Sequence, residues 1–173
     1  MTAPEFSRPV RIDTLGAAPR RVEIEADEAE CEAIARRFGL VAIGRLAAEA
    51  AVARRGEEIV ATGSIDAEVV QSCVATGEPV SAKLAAPFEI VFRPHSASAE
   101  EEIELGESEL DTVFHDGASI DLGEAAAETL ALSLDPYPRA PGAEAALKAA
   151  GVRSEEEAGP FGALAGLRDK LKP

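Results

Sequence analysis

Between Val41 and Phe92, apolar side chains recur at every second position over three long stretches, and nothing else in the chain limits its fold so strongly. Ile59, Ala61, Gly63, Ile65, Ala67 and Val69 keep that period without a break, as do Leu84, Ala86, Phe88, Ile90 and Phe92. A period of two puts alternate side chains on one face of a pleated strand, so each run needs a sheet with one buried and one wet face. Val41 and Ile43 sit in one register, and Leu46, Ala48, Ala50 and Val52 in the other. The slip beside Gly44 predicts a β-bulge. Arg54-Arg55-Gly56-Glu57-Glu58 is polar and supplies the glycine of a hairpin turn, so residues 41–73 read as an antiparallel hairpin. Residues 74–81 read as a tight connection, and the third run, closed by Pro94, returns beside the second.

Two shorter patterns precede the hairpin. Val10 and Ile12, then Val22 and Ile24, alternate with charged residues and predict strands on either side of a turn at 16–19. Residues 27–39 predict a helix: Asp27 with Glu30 forms a capping-box variant, and Cys31, Ile34, Ala35 and Phe38 share one face. Gly39 suits the left-handed residue that ends a helix, with Leu40 folding back as its hydrophobic contact. Asp121 with Glu124 repeats the start signal. Leu122, Ala126, Leu130 and Leu134 follow at spacing four, flanked by Ala125 and Leu132, until Asp135-Pro136 stops the helix. The fold class expected is α+β, a curved antiparallel sheet packed with two helices on its apolar face, plus a C-terminal tail. Residues 1–135 form the single domain, with an exposed acidic loop within 94–120 that allows a short pairing at 103–105. Residues 136–173 form a partly ordered tail, with an Ala-rich helical run at 143–150 and a short amphipathic helix carrying Phe161, Leu164, Leu167 and Leu171 beside Arg168, Lys170 and Lys172. Aromatic residues make up 4% of the chain and Trp is absent, so the core is expected to be built from small and aliphatic side chains.

Charge narrows the partners. The 173 residues carry a formal net charge of −15. Broad phosphate neutralisation needs clustered Lys and Arg, so a large nucleic-acid face and an anionic membrane surface are both disfavoured. No apolar run has the length of a membrane span, and the first residues lack the pattern of a secretory signal. Cys31 and Cys73 could form one disulfide, but two ordinary thiols in a reducing cytoplasm is the better reading. Cys31 belongs to the apolar face of the first helix and reads as a small buried hydrophobe.

Sites for chemistry are sparse. His115-Asp116 could be an oriented base for a hydrolase, but no nucleophile stands in a recognisable setting, and His95 and His115 read as solvated loop residues. Metal-ligand spacing and glycine-rich phosphate loops are absent, so neither a metal, a cofactor nor a small-molecule substrate is expected, and the chain reads as a non-enzyme. Three surface features remain. Between Pro94 and Pro138 every formally charged side chain is acidic, which fits a solvated face or a docking site for a basic partner. Arg20-Arg21, Arg36-Arg37 and Arg54-Arg55 could touch RNA or pair with the abundant Glu. The Pro160-Phe161 tail suits either packing on its own domain or binding in a partner's groove.

Three stretches in order carry a family resemblance. Gln71-Ser72-Cys73-Val74-Ala75-Thr76-Gly77-Glu78-Pro79-Val80, followed by the strand at 88–92, resembles the YceD family of bacterial and plastid proteins. So does Ile120-Asp121-Leu122-Gly123-Glu124 with Glu128, Leu130, Leu132 and Leu134, then Pro136-Tyr137-Pro138-Arg139. Gly159-Pro160-Phe161-Gly162-Ala163-Leu164-Ala165-Gly166-Leu167 is similar to the family's Asn-Pro-Phe-x-x-Leu-x-x-Leu terminus. The motif residues are thus Cys73, Gly77, Pro79, Asp121, Leu122, Glu124, Glu128 and Pro138, and the likeness spans roughly residues 60–171. The resemblance implies a large ribosomal RNA subunit accumulation protein, cytoplasmic, supporting 23S rRNA accumulation, with no catalytic residues to carry over. Many members have C-x-x-C at the turn and further tail cysteines suited to zinc. Here Thr76 holds the second position and the tail has no Cys, so no metal role transfers. The expectation is a non-enzymatic factor in large-subunit biogenesis that docks a basic large-subunit ribosomal protein or assembly factor. Its contacts would be Glu100, Glu101, Glu102 and Glu104 with the tail residues Phe161, Leu164 and Leu167. The alternative is direct rRNA binding through the arginine pairs.

Overall fold

The computed structural model describes residues 4–95, 111–115 and 117–152. Glu100, Glu101, Glu102 and Glu104, the suggested pairing at 103–105, Asp116, and the tail residues Phe161, Leu164 and Leu167 lie outside the described residues. The chain divides into two compact units, Met1–Gln71 with Ser81–Pro136, and Ser72–Val80 with Tyr137–Pro173.

The larger unit is α+β. Its main sheet has five strands in the order β2-β3-β4-β5-β6. These are β2 (Arg20–Glu25), β3 (Ala42–Arg55), β4 (Glu58–Ser72), β5 (Pro79–Pro94) and β6 (Thr112–His115). β2 with β3 and β3 with β4 are antiparallel. The β3–β4 hairpin closes on Arg55 opposite Glu58, with Gly56 at φ 68° in the turn, and its register shifts between Ile43 and Arg45, at the slip beside Gly44. β5 begins at Pro79, so the connection before it is shorter than the 74–81 read from the sequence.

Two features correct the sequence reading. The sheet is mixed and not wholly antiparallel, because β6 runs parallel to the end of β5, from Val91 opposite Thr112 to Pro94 opposite His115. The stretch read as an exposed acidic loop also contains a further strand, β7 (Ser119–Asp121). Thr112-Val113-Phe114-His115 is an uncharged run of good strand formers, too short to show a period inside its acidic surroundings. β7 pairs antiparallel with β1 (Pro9–Arg11) in a separate two-stranded ribbon, Val10 opposite Ile120. Ile12, expected in the first strand, instead opens a 3-10 turn at Ile12–Thr14.

Helix α1 (Glu28–Phe38) starts on the full capping box of Asp27 and Glu30 and ends on Gly39 in the left-handed conformation. Helix α2 (Leu122–Ser133) starts on Asp121. Both lie against the same sheet face: Cys31 and Ile34 of α1 and Ala126 and Leu130 of α2 are buried with Leu46, Ile65 and Val69. Fully burying each of the large aliphatic side chains contributes about 1.5–3 kcal/mol. A second cluster joins Val52, Ile59 and Phe92 to Ile120 and Leu122 beside the β1–β7 ribbon. The alternate side chains of the strands carry exposed ion pairs, Arg21 with Glu49, Arg45 with Glu25 and Lys83 with Glu68. Such pairs contribute at most about 1 kcal/mol each.

The smaller unit holds the 72–80 turn and α3 (Ala143–Ala149), with Cys73, Ala140 and Ala143 buried together.

Candidate functional site

The residues Asp121 to Glu124 work mainly as a fastening. Asp121 Oδ1 accepts from the backbone N–H groups of Gly123 at 2.9 Å and Glu124 at 3.2 Å, capping α2. The same oxygen accepts from Arg8 N at 2.8 Å, while Oδ2 accepts from the Ser7 hydroxyl. Leu122 is buried and its N–H donates to the Arg8 carbonyl. Glu124 takes the Arg37 guanidinium at 2.7 and 3.0 Å, and Arg37 also donates to Glu5 at 3.0 Å. Those carboxylates raise the Arg37 pKa, the Glu124 hydrogen bond most of all. Arg8 forks onto Glu30 of α1 at 2.7 and 2.8 Å, which pulls the Glu30 carboxyl below its ordinary range. Residues 5–8 are thus held by both helices at once.

One turn further along α2, Glu128 lines the edge of a cleft, exposed as a residue but with its carboxyl partly screened from water, and has no ion pair to a described residue. Partial burial pushes its carboxyl up, Glu124 adds to the rise, and Arg37 opposes it. α2, β5 and β6 enclose this cleft of about 340 Å³, lined by Phe88, Ile90, Val113, Ala125 and Leu132, with Glu128 and Asp111 as its two carboxylates and no Lys or Arg among its lining residues. Leu132 is 84% exposed. It follows Leu130 by two residues, about 200° round the helix, so it cannot share the buried stripe. Phe114, 49% exposed, lies with its ring 5.1 Å from that of His95. The sequence reading missed this cleft. Its one available signal was Leu132, which breaks the spacing of four.

In the smaller unit, Cys73 closes the turn. Its N–H donates to the Glu78 carbonyl, its own carbonyl accepts from Gly77 N, and Val74 N donates to the Pro138 carbonyl. Gly77 takes a φ of 75°, the left-handed conformation that glycine adopts without penalty. Pro79 follows as the first residue of β5. The buried Cys73 Sγ accepts from Ala140 N at 3.3 Å. That N–H and the Thr76 hydroxyl draw the thiol pKa down to about 7 against the opposing effect of burial.

The family whose sequence pattern matches residues 61–168 is described as "Large ribosomal RNA subunit accumulation protein YceD". The chain belongs to the YceD family. No curated protein and no solved structure gives a significant match. The matched span of this family member takes in Cys73, the α2 fastening, Glu128 and Pro138. Among the described residues no group of three or more His, Cys, Asp or Glu gathers as a metal site. A threonine hydroxyl and backbone N–H groups surround the Cys73 sulfur. His115 Nδ1 accepts from Gly117 N at 3.0 Å. Of the arginine pairs, Arg21 and Arg37 are committed to carboxylates and Arg54 Nε donates to the Gly56 carbonyl. No described helix is long and apolar enough to cross a membrane.

The Cys73 geometry has a pH signature. A thiol lowered from its usual 9.0 to about 7 in the fold stabilises the folded chain fully above pH 9.0, and that contribution fades as pH falls through about 7. Stability should therefore rise between pH 7 and 9, and Cys73→Ala should flatten the rise. Denaturant midpoints across that window test it, with thiolate ultraviolet absorbance of a Cys31→Ala variant as a direct titration. Burial moves Cys31 the other way, so its thiol should titrate above 9.0.

Proposed function

We propose that this chain is a non-enzymatic, cytoplasmic factor in large ribosomal subunit biogenesis. It supports 23S rRNA accumulation by docking a basic large-subunit ribosomal protein or assembly factor through the acidic segment 100–135. Family membership carries the biogenesis role. The docking mode is supported by the run from Pro94 to Pro138, where every formally charged side chain is acidic. Opposed surface charge steers encounter and orders register more than it adds raw affinity. It also repels RNA phosphates, so a basic protein is favoured over the nucleic acid itself. Nothing in this role calls for a cofactor, a metal or a small-molecule substrate.

The test is affinity capture from native lysate, split into RNase-treated and untreated halves. A basic large-subunit protein or assembly factor should survive RNase treatment. Reversing Glu100, Glu101, Glu102 and Glu104 to Lys should cut its capture by about tenfold at low salt, and less at high salt where screening already weakens it. Unchanged capture on charge reversal would defeat the docking mode. Loss of all captured material on RNase treatment would favour direct rRNA binding through the arginine pairs.

A further inference from the structure

We propose that the α2–β5–β6 cleft is the seat for a single apolar anchor residue of a basic partner, with lysine or arginine flanking that anchor. This rests on the docking reading above and assigns it a place. Three observations converge. Phe88, Ile90, Val113 and Ala125 give the cleft an apolar wall, set beside the hydroxyl side chains of Thr112, Thr129 and Ser133. Leu132 stands at the edge, 84% exposed, on a helix whose other leucines Leu122 and Leu130 are fully committed to the core. An aliphatic side chain so placed gains on binding without loss to the fold. The polar groups fix the sign of the visitor. Glu128 and Asp111 line the cleft, no described cation does, and Glu128 has no ion pair to a described residue. Arg37 already acts on Glu128 but is committed to Glu124 and Glu5, so a cation laid directly beside Glu128 would add a pairing charge that the fold itself does not give it. An acidic or purely apolar segment would leave those carboxylates desolvated and unpaired, which is costly.

The probes are three synthetic peptides of equal length: a Leu/Lys amphipathic helix, its Leu/Glu counterpart, and a Ser/Lys peptide with the same charge as the first. Each is titrated into the isotope-labelled full chain and read by amide and methyl shifts. The Leu/Lys peptide should saturate, moving Leu132, Val113 and Ala125, and bind at least about tenfold more tightly than the other two, the equivalent of burying one leucine. Leu132→Asp and Glu128→Lys should each remove about tenfold of that affinity. Leu132 is too exposed for its replacement to unfold the chain, and an unchanged thermal midpoint confirms this.

Equal affinity for the Ser/Lys peptide would reduce the effect to bulk charge and overturn the assignment. So would shifts centred away from the cleft, or full affinity in the Leu132→Asp chain. Concentration-dependent shifts of Leu132 without peptide would give the cleft to a second copy of the chain instead. The same variants separate this proposal from the broader one. Ribosomal-protein capture that survives Leu132→Asp but not the Glu100–Glu104 reversal overturns the cleft alone. Capture unaffected by either overturns the docking mode itself.

Discussion

Gly63→Ala should destabilise the protein by about 3 kcal/mol or more, a large share of the roughly 5–15 kcal/mol that holds a domain together. Gly63 lies opposite Ala50 in the β3–β4 pairing. A Cβ built there falls 2.0 Å from the Glu49 carbonyl oxygen and 2.8 Å from the Ala50 Cα. Both are backbone atoms, so no side chain can swing aside, and relief must come from parting β3 and β4. Glycine in a strand interior otherwise weakens it, so a close backbone approach is the reason for its presence here. Gly16→Ala is the matched control. Nothing lies within 4 Å of its would-be Cβ, and φ there is not in the left-handed region. It should be neutral or stabilise by up to about 1 kcal/mol through the unfolded chain. Urea midpoints of the two variants decide the matter. A Gly63→Ala chain as stable as its parent would show that the strands can part freely at this point.

Gly123→Ala is the second, and its sign is what makes it informative. Inside a helix the change ordinarily stabilises by about 1 kcal/mol. Here the added Cβ would sit 2.4 Å from the Phe6 carbonyl oxygen and 3.0 Å from Arg8 N, where residues 6–8 cross the first turn of α2. The crossing segment cannot lift without breaking the Asp121 hydrogen bonds to Ser7 and Arg8. Losing those bonds and the buried packing of Phe6 should cost about 2–4 kcal/mol, well beyond the propensity gain. Thermal melts provide the comparison, and removing residues 1–8 supplies the check. In that shortened chain the clash is gone, so Gly123→Ala should become neutral or stabilising. Destabilisation of equal size in both chains would show that the crossing segment is not the cause.

These glycines mark where the sequence stopped being readable. Local order was plain in it. The period of two gives β3 and β4, the register slip places their irregularity beside Gly44, and both helices announce themselves with Asp-x-x-Glu starts. Each of these signals lives within a few residues. What was not visible depends on partners far away in the chain. A three-residue ribbon strand such as β1 shows no period, and nothing in Pro9-Val10-Arg11 says that its neighbour is Ser119-Ile120-Asp121. β6 is uncharged within an acidic stretch and pairs in parallel, which no hairpin signal announces. Asp121 was recognisable as a helix start, yet its second task, holding Arg8, required the tertiary fold. The acidic character of the candidate docking region was legible from composition. The cleft was not, because it exists only once α2 lies across from β5 and β6, and its clue was a single leucine out of step. Cys73 read as a lone thiol at a turn with Thr76 in the second position, and the backbone N–H groups that serve its sulfur come partly from Ala140, 67 residues on.

The grip of Asp121 on the Arg8 backbone spans 113 residues. On a chain emerging at about 5–20 residues per second, the N-terminal stretch must therefore wait roughly 6–23 s for its clasp to be made. Through that interval the cluster that holds Phe6 is incomplete, since its members Ala126 and Leu130 are also still to come. Residues 6–8 are thus locked only after Asp121 has been made, and completion of this fold waits on translation well past its midpoint.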